Sequence, residues 1–220
     1  MGVGEFQTEY KEYFEGEYNI FLPEVENIGS INCPLLIFLH GYYPEYNPPE
    51  FMEKELPKGL LENSRDFNFI LGCPLCPFGF YWRTTFVLSF LNHLIERYKI
   101  NESKIFLTGH SMGGFGTWAT AHEFPERFAG VSPVSGGVSE INQYQTHRLK
   151  NLPIWAFHNR GDEIVSFRNT EKIVNSINNL GGKAKLTLYD IDSHDAYVTF
   201  QNKELYKWFA SLNKQKSDSI

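Results

Sequence analysis

A serine stands at the centre of Gly109, His110, Ser111, Met112 and Gly113, a G-x-S-x-G match. Apolar, β-prone residues Ile105, Phe106, Leu107 and Thr108 precede it, and a helix-compatible run from Thr117 to Glu123 follows. A serine at a sharp strand-to-helix turn is held in strained backbone geometry with its hydroxyl pushed clear of the sheet. Glycines two residues before and two after it remove the Cβ atoms that would collide as strand and helix close up. The N–H groups that open the helix point to where an oxyanion would sit. The chemistry suggested is nucleophilic attack by a hydroxyl. A serine hydroxyl attacks well only when a base removes its proton, and that base is normally a histidine steered by a carboxylate.

The chain offers seven histidines, at 40, 93, 110, 122, 147, 158 and 194. His93 and His122 fall inside helical runs, and His147 lies in a segment of undefined type. His40 and His110 flank the glycines of two turns, where packing and loop hydrogen bonds are the expected roles. His158 ends a strand but comes before the candidate acid. His194 sits in the last strand-to-helix loop, within Asp192, Ser193, His194 and Asp195, and completes the chain order Ser, acid, His. Asp162 follows the strand that ends at Phe157 and is the candidate acid, with Glu163 its neighbouring competitor. The oxyanion site needs two backbone donors. Met112 N–H, directly after the nucleophile, is one. The turn after Leu39 supplies the other, with Tyr42 the first candidate and Tyr43 the second. Tyr42, Tyr43, Phe78, Tyr81, Trp82 and Tyr197 are candidates for an aromatic rim, of which Tyr43, Trp82 and Tyr197 are expected at the substrate pocket.

These residues must be carried by elements at matching ends. Residues 6–13 and 17–22 read as two short strands split by Gly16. Residues 34–39 form a continuous apolar run, the mark of a strand buried on both faces. Residues 50–62 are helix-like but interrupted by Pro57. Residues 69–73 read as a strand, and residues 84–98 carry Val87, Leu88, Leu91, Leu94 and Ile95 at helical spacing. Strands are expected at 128–134, 152–157 and 185–189. A short helix or loop is expected at 141–149, and helices at 167–180 and 202–212. Strands alternating with helices from residue 34 onward predict an α/β fold, a mostly parallel sheet with helices on both faces and an antiparallel N-terminal edge within residues 1–33. In such sheets ligands bind at the carboxyl ends of the strands. With no linker, repeat or low-complexity block, residues 1–220 read as one domain with a frayed tail at 214–220.

The bulk numbers exclude some functions. The 220 residues carry a net charge of −6, with 42% hydrophobic, 21% charged and 16% aromatic residues. No Lys/Arg cluster suits a phosphate backbone, so nucleic acid is not an expected partner. No apolar run approaches a membrane span. The N-terminus lacks the basic and apolar regions of a signal peptide, and Phe6 stands where a myristoylation signal wants Ser or Thr. The three cysteines, Cys33, Cys73 and Cys76, make no disulfide framework and suit a reducing, cytoplasmic setting. Cys73 and Cys76 form a lone C-x-x-C without the further ligands of a zinc site, so no metal and no cofactor is expected, and the two read as buried or loop thiols.

Taken together, the segments resemble the α/β-hydrolase superfamily, most closely the small serine esterases of the dienelactone-hydrolase, phospholipase/carboxylesterase and feruloyl-esterase type. The matching segments are residues 34–41, 107–118, 124–129, 133–137 and 153–158, with Cys76, Pro77, Trp82, Gly161, Asp162 and residues 193–195. The resemblance implies Ser111 as nucleophile, Asp162 as acid and His194 as base. It departs where a Gly-Glu-type turn is usual and Tyr43 to Tyr46 stand instead, and where Tyr197 replaces a common tryptophan. The expected activity is hydrolysis of short-acyl or aryl carboxylic esters, with a small-molecule ester as the partner. A serine peptidase or acyltransferase on the same residues, and a non-catalytic hydrolase-like binding protein, are the alternatives.

Overall fold

The computed structural model describes residues 2–7, 15–23, 32–42, 56–77, 79–138 and 146–214. The elements run β1 (Gly2–Gln7), β2 (Glu15–Phe21), β3 (Cys33–Leu39), α1 (Leu60–Asp66), β4 (Ile70–Pro74), α2 (Thr84–Arg97) and β5 (Ile100–His110). They continue through α3 (Met112–Glu123), β6 (Gly130–Val134), β7 (Trp155–Asn159), α4 (Phe167–Asn179), β8 (Lys185–Tyr189) and α5 (Lys203–Ser211). The strands form one sheet in the order β1-β2-β4-β3-β5-β6-β7-β8. β1 lies antiparallel to β2 and β2 antiparallel to β4, whereas the pairs from β4 through β8 are parallel. This is the predicted α/β architecture with its antiparallel edge.

Two elements shift furthest from their expected bounds. The first strand is Gly2–Gln7 rather than 6–13, because its ends are set by cross-strand partners such as Gly4 with Tyr18 and Phe6 with Gly16; residues 8–13 lie outside the described residues. The helix expected over 50–62 is seen as α1, which begins only after Gly59 turns the chain at φ 87° and runs on to Asp66. Residues 50–55, and 141–145 of the expected 141–149 segment, lie outside the described residues. At the other end, Lys214 N–H donates to the Ser103 carbonyl at 2.7 Å, so the chain is tied down at least that far; residues 215–220 are again outside the described residues.

The central strands are buried on both faces, as their unbroken apolar runs require. In β3, Leu35, Ile37 and Leu39 pack into one core and Leu36 and Phe38 into the other, the period-2 alternation of a strand. On the first face lie Phe90 and Leu94 of α2, Trp118 and Ala121 of α3, and Ile173, Val174 and Ile177 of α4. Gly72 of β4 admits α2 to close range: a Cβ there would stand 2.8 Å from a Leu94 methyl. On the second face lie Leu60 of α1 and Leu205, Tyr206 and Phe209 of α5.

Helix α5 is fixed at both ends. Asn202 caps its start by accepting from Glu204 N–H at 3.0 Å. Lys104 Nζ donates to the Ala210 and Leu212 carbonyls at its end, at 2.7 and 3.3 Å. The layers matter here because they align the carboxyl ends of β3, β5, β7 and β8, from which the loops bearing Tyr42, Ser111, Asp162 and His194 emerge. Phe209 is fully buried with its ring 4.9 Å from that of Phe106. Phe209→Ala is therefore expected to cost about 3–5 kcal/mol, measured as the loss in urea-unfolding free energy.

Candidate active site

The turn at Ser111 is as tight as the sequence pattern requires. Ser111 has φ 54° and ψ −116°, one of three non-glycine residues with positive φ among the described residues. A side chain gains such a position only where its surroundings leave no other path. Those surroundings are backbone. A Cβ on Gly109 would lie 2.5 Å from the Gly113 carbonyl oxygen, and one on Gly113 would overlap the Leu39 carbonyl. Strand, turn and helix thus touch at main-chain distance, and Ser111 N–H donates to the Val134 carbonyl at 3.0 Å.

The geometry brings Ser111, His194 and Asp162 together. His194 Nε2 lies 2.7 Å from Ser111 Oγ, and His194 Nδ1 lies 2.8 Å from Asp162 Oδ2. With Nδ1–H donating to the carboxylate, the Nε2 lone pair faces the hydroxyl. Asp162 is buried, and its Oδ1 accepts the N–H groups of Ile164 and Val165 at 2.9 and 2.8 Å. Burial alone would raise its carboxyl. The bonds from Val165 N–H, His194 and Ile164 N–H outweigh that and hold it below the ordinary carboxylate range. Glu163, the sequence competitor, is exposed.

Three other side chains stand at this site that no sequence pattern singles out. His158 is fully buried, and its Nε2 sits 3.1 Å from Asp162 Oδ2 and 2.9 Å from the Val165 carbonyl, so Asp162 faces two imidazoles. His110 Nε2 meets the His194 carbonyl at 3.2 Å. Asn159 donates to the Ser193 and Asp195 carbonyls. All three lie at the ends of strands that carry site residues. That was the available signal, but no local pattern names their partners: for His110 and Asn159 these are backbone carbonyls far along the chain, and for His158 the Asp162 carboxylate and Val165 carbonyl just past the strand.

The second turn is organised by His40. Cys76 N–H donates to His40 Nε2 at 3.0 Å, so Nδ1 carries the proton and donates to the Gly41 carbonyl at 2.6 Å. In a trans peptide the carbonyl and the following N–H point opposite ways. Holding the Gly41 oxygen toward His40 therefore turns Tyr42 N–H away from it. Gly41 itself lies against Ser111, since a Cβ there would stand 3.6 Å from Ser111 Cβ. Met112 opens α3, where first-turn N–H groups have no carbonyl four residues back to bond. Tyr43 lies outside the described residues.

A cavity of about 450 Å³ opens beside Ser111, walled by Tyr42, Tyr81, Trp82, Met112, Phe115 and Val138. Its floor is made of small residues, Gly116 and Ala119 of α3 with Gly137 after β6. Among the described residues, no charged side chain lines it. Trp82 packs directly over Gly116, where a Cβ would come within 2.6 Å of Trp82 Cβ, and its indole N–H donates to the His40 carbonyl at 3.0 Å. Of the aromatic residues expected at the rim, Tyr42, Tyr81 and Trp82 line the cavity and Tyr197 does not, while Phe78 lies outside the described residues. Tyr197 starts a 3-10 turn and packs edge-on against the His110 ring at 4.6 Å. Cys33 and Cys73 are buried free thiols and Cys76 is half-buried; burial pushes Cys73 up and Cys76 up to about 12. Among the described residues, no group of three or more His, Cys, Asp or Glu is placed to hold a metal ion, and no helix is long and apolar enough to cross a membrane.

Residues 84–209 match the family model described as Phospholipase/Carboxylesterase. The bifunctional acetylxylan esterase/xylanase XynS20E of Neocallimastix patriciarum is 23% identical over 146 residues, which cover 64% of this chain and 21% of that protein. A thermostable esterase of known crystal structure superimposes with a TM-score of 0.84 at 27% identity, covering 96% of this chain and 63% of the other. An S-formylglutathione hydrolase from Agrobacterium tumefaciens matches with a TM-score of 0.69 at 16% identity, over 95% of this chain and 94% of that one, a likeness of fold. The chain thus spans about a fifth of the acetylxylan esterase/xylanase and under two thirds of the thermostable esterase. The fold is that of the α/β-hydrolases.

The buried histidines make stability depend on pH. Desolvation holds His40 and His110 down from 6.5 to about 4, against the opposing pull of the Gly41 and His194 carbonyls respectively. The unfolded chain therefore binds more protons than the folded one between these values. Stability is complete above about 6.5 and falls as the pH drops toward 4, by on the order of 3 kcal/mol for each histidine. In His40→Gln, the slope of urea-unfolding free energy against pH within that window is expected to lose about one proton's worth, roughly 1.4 kcal/mol per pH unit.

Proposed function

Since the chain belongs to the phospholipase/carboxylesterase family, we propose that it is a serine carboxylesterase, with Ser111 as nucleophile, His194 as base and Asp162 as the acid that orients it. The observation that carries the reading is the continuous relay from Ser111 Oγ through His194 to Asp162, at 2.7 and 2.8 Å, opening onto a cavity whose described lining is uncharged. The reading takes residues 1–220 as one catalytic domain that works without a cofactor.

In this mechanism, Ser111 Oγ bonds to the ester carbonyl carbon as its proton passes to His194 Nε2. The carbonyl electron pair moves onto oxygen, where the N–H groups of Met112 and Tyr42 receive it. Collapse breaks the bond to the alcohol oxygen, which takes the proton back from His194 and leaves an acyl-enzyme. Water then attacks, giving its proton to His194; the second collapse breaks the bond to Ser111 Oγ, which takes that proton back and releases the acid. Asp162 stays ionised and stabilises the imidazolium that forms twice. The aromatic and apolar walls suit a short acyl or aryl group over a charged one. Acetyl and aryl esters of alcohols are therefore the proposed substrates, an idea to which the likeness to an acetylxylan esterase/xylanase adds weight.

Ser111→Ala is expected to lower kcat on an aryl acetate by about 10³–10⁶-fold, with circular dichroism unchanged and labelling by a fluorophosphonate probe abolished. Turnover at the wild-type rate would remove Ser111 from the chemistry. Faster cleavage of a matched anilide than of the ester would instead point to a peptidase, and faster transfer to an added alcohol than to water would point to an acyltransferase. A wild-type protein that the probe does not label and that cleaves no ester would be a binding protein on a hydrolase scaffold.

A further inference from the structure

We propose that Asn159 and His110 form a three-point clamp on the backbone of residues 193–195, and that the clamp sets the position of the His194 imidazole. The inference rests on the reading of His194 as base. Three consecutive carbonyls are held from beneath by two buried side chains. The Asn159 amide donates one N–H to the Ser193 carbonyl at 2.9 Å and the other to the Asp195 carbonyl at 3.0 Å. The His110 ring takes the carbonyl between them, that of His194, at 3.2 Å through Nε2–H.

Beyond the bond from Gly161 N–H to the Ile191 carbonyl at 3.1 Å, the loop has few inward anchors of its own. Asp190, Ile191, Asp192 and Asp195 are exposed and Ser193 is half-buried. Asn159, by contrast, is fully buried, and its Oδ1 has no partner among the described residues. Rotating the amide would set that oxygen against two carbonyl oxygens, so the orientation with both N–H groups on the loop is the one the surroundings accept. A buried amide that leaves its own acceptor unpaired carries a cost, and the two bonds to the loop are what offset it.

The placement of the two clamp residues gives the arrangement its use. His110 is the last residue of β5, directly before Ser111; Asn159 is the last residue of β7, three before Asp162. The loop bearing the base is thus referenced to both strand ends that carry its partners in the relay. A proton-transfer geometry tolerates errors of only about 0.5 Å. A loop reaching over from β8 does not meet that by chain connectivity alone. Bonds to the other two strand ends transfer their rigidity to it. Asn159 and His110 are positioning residues, acting through His194 and not on substrate.

Asn159→Leu and His110→Leu are expected to lower kcat about 10–100-fold with KM changed by less than about twofold, in proteins whose circular dichroism matches wild type. His110→Gln retains an N–H able to reach the same carbonyl, and recovers most of the loss. In a His194→Ala background, where a residual rate from the oxyanion site persists, neither leucine substitution lowers the rate further, because the group they position is gone. Wild-type kcat in both leucine variants overturns the clamp. So does an equal loss in the His194→Ala background, or a His110→Gln variant as slow as His110→Leu. Should Asn159→Leu fail to fold, the His110 pair decides alone. Wild-type turnover by His194→Ala itself would overturn the base assignment and the clamp with it. An inactive His194→Ala beside fully active leucine variants overturns only the clamp.

Discussion

Main chain against main chain at the end of β5 is the contact on which the rest depends. Helix α3 starts so close to β3 and β6 that Gly109, Gly113 and Gly114 have no room for a Cβ against the carbonyls around them. That closeness forces Ser111 to φ 54°, turns its hydroxyl out of the sheet, and aims the opening N–H groups of the helix at the same space. The local strain is of order 1–3 kcal/mol, and it persists because two cores, one on each face of the sheet, hold β3, β5 and α3 where they are. The presentation of the Ser111 hydroxyl is thus a property of the whole layered packing and not of a flexible loop.

Around that fixed point the site is built in tiers. His194 and Asp162 complete the relay. His158, His110, Asn159 and His40 lie behind them, each bonded to backbone or carboxylate oxygen, or accepting a backbone N–H. Three of these four are imidazoles whose pKa burial lowers, and that keeps them neutral where the site works. A neutral imidazole offers one donor and one acceptor on a rigid ring. It can link two loops without adding a charge that would compete with the one developing on His194. The low-dielectric surroundings that make these rings neutral also strengthen the bond from His194 to Asp162.

Much of this was legible in the chain. The elbow, the order of strands and helices, and the loops bearing Asp162 and His194 follow from short-range pattern: apolar runs, glycine spacing and helical periodicity each leave a local mark. The β8 boundaries at 185 and 189 coincide with the alternating run that predicted them. The first strand did not, because its limits come from pairing with β2, and pairing is not written in the strand itself. The roles of Asn159 and His158 were equally hidden. An asparagine or histidine at a strand end reads the same whether its partner is solvent, a carboxylate or the backbone of a loop more than thirty residues on. Tyr197 was misplaced for a related reason. It counts among the loop aromatics expected at the rim, but the 3-10 turn it opens places the ring against His110.

The floor of the cavity separates two kinds of evolutionary freedom. Gly116 and Ala119 lie one helical turn apart on α3, both facing the space beside the nucleophile. Position 116 is locked, because the Trp82 side chain rests where any larger residue would go. Position 119 carries a half-buried methyl that itself forms part of the cavity wall. Swapping the methyl there for a bulkier or smaller group would shorten or deepen the chamber while leaving the elbow, the relay and its supports as they are. Chains built on this scaffold can therefore diverge in the size of molecule they accept through a single helical position, without renegotiating how the bond is broken.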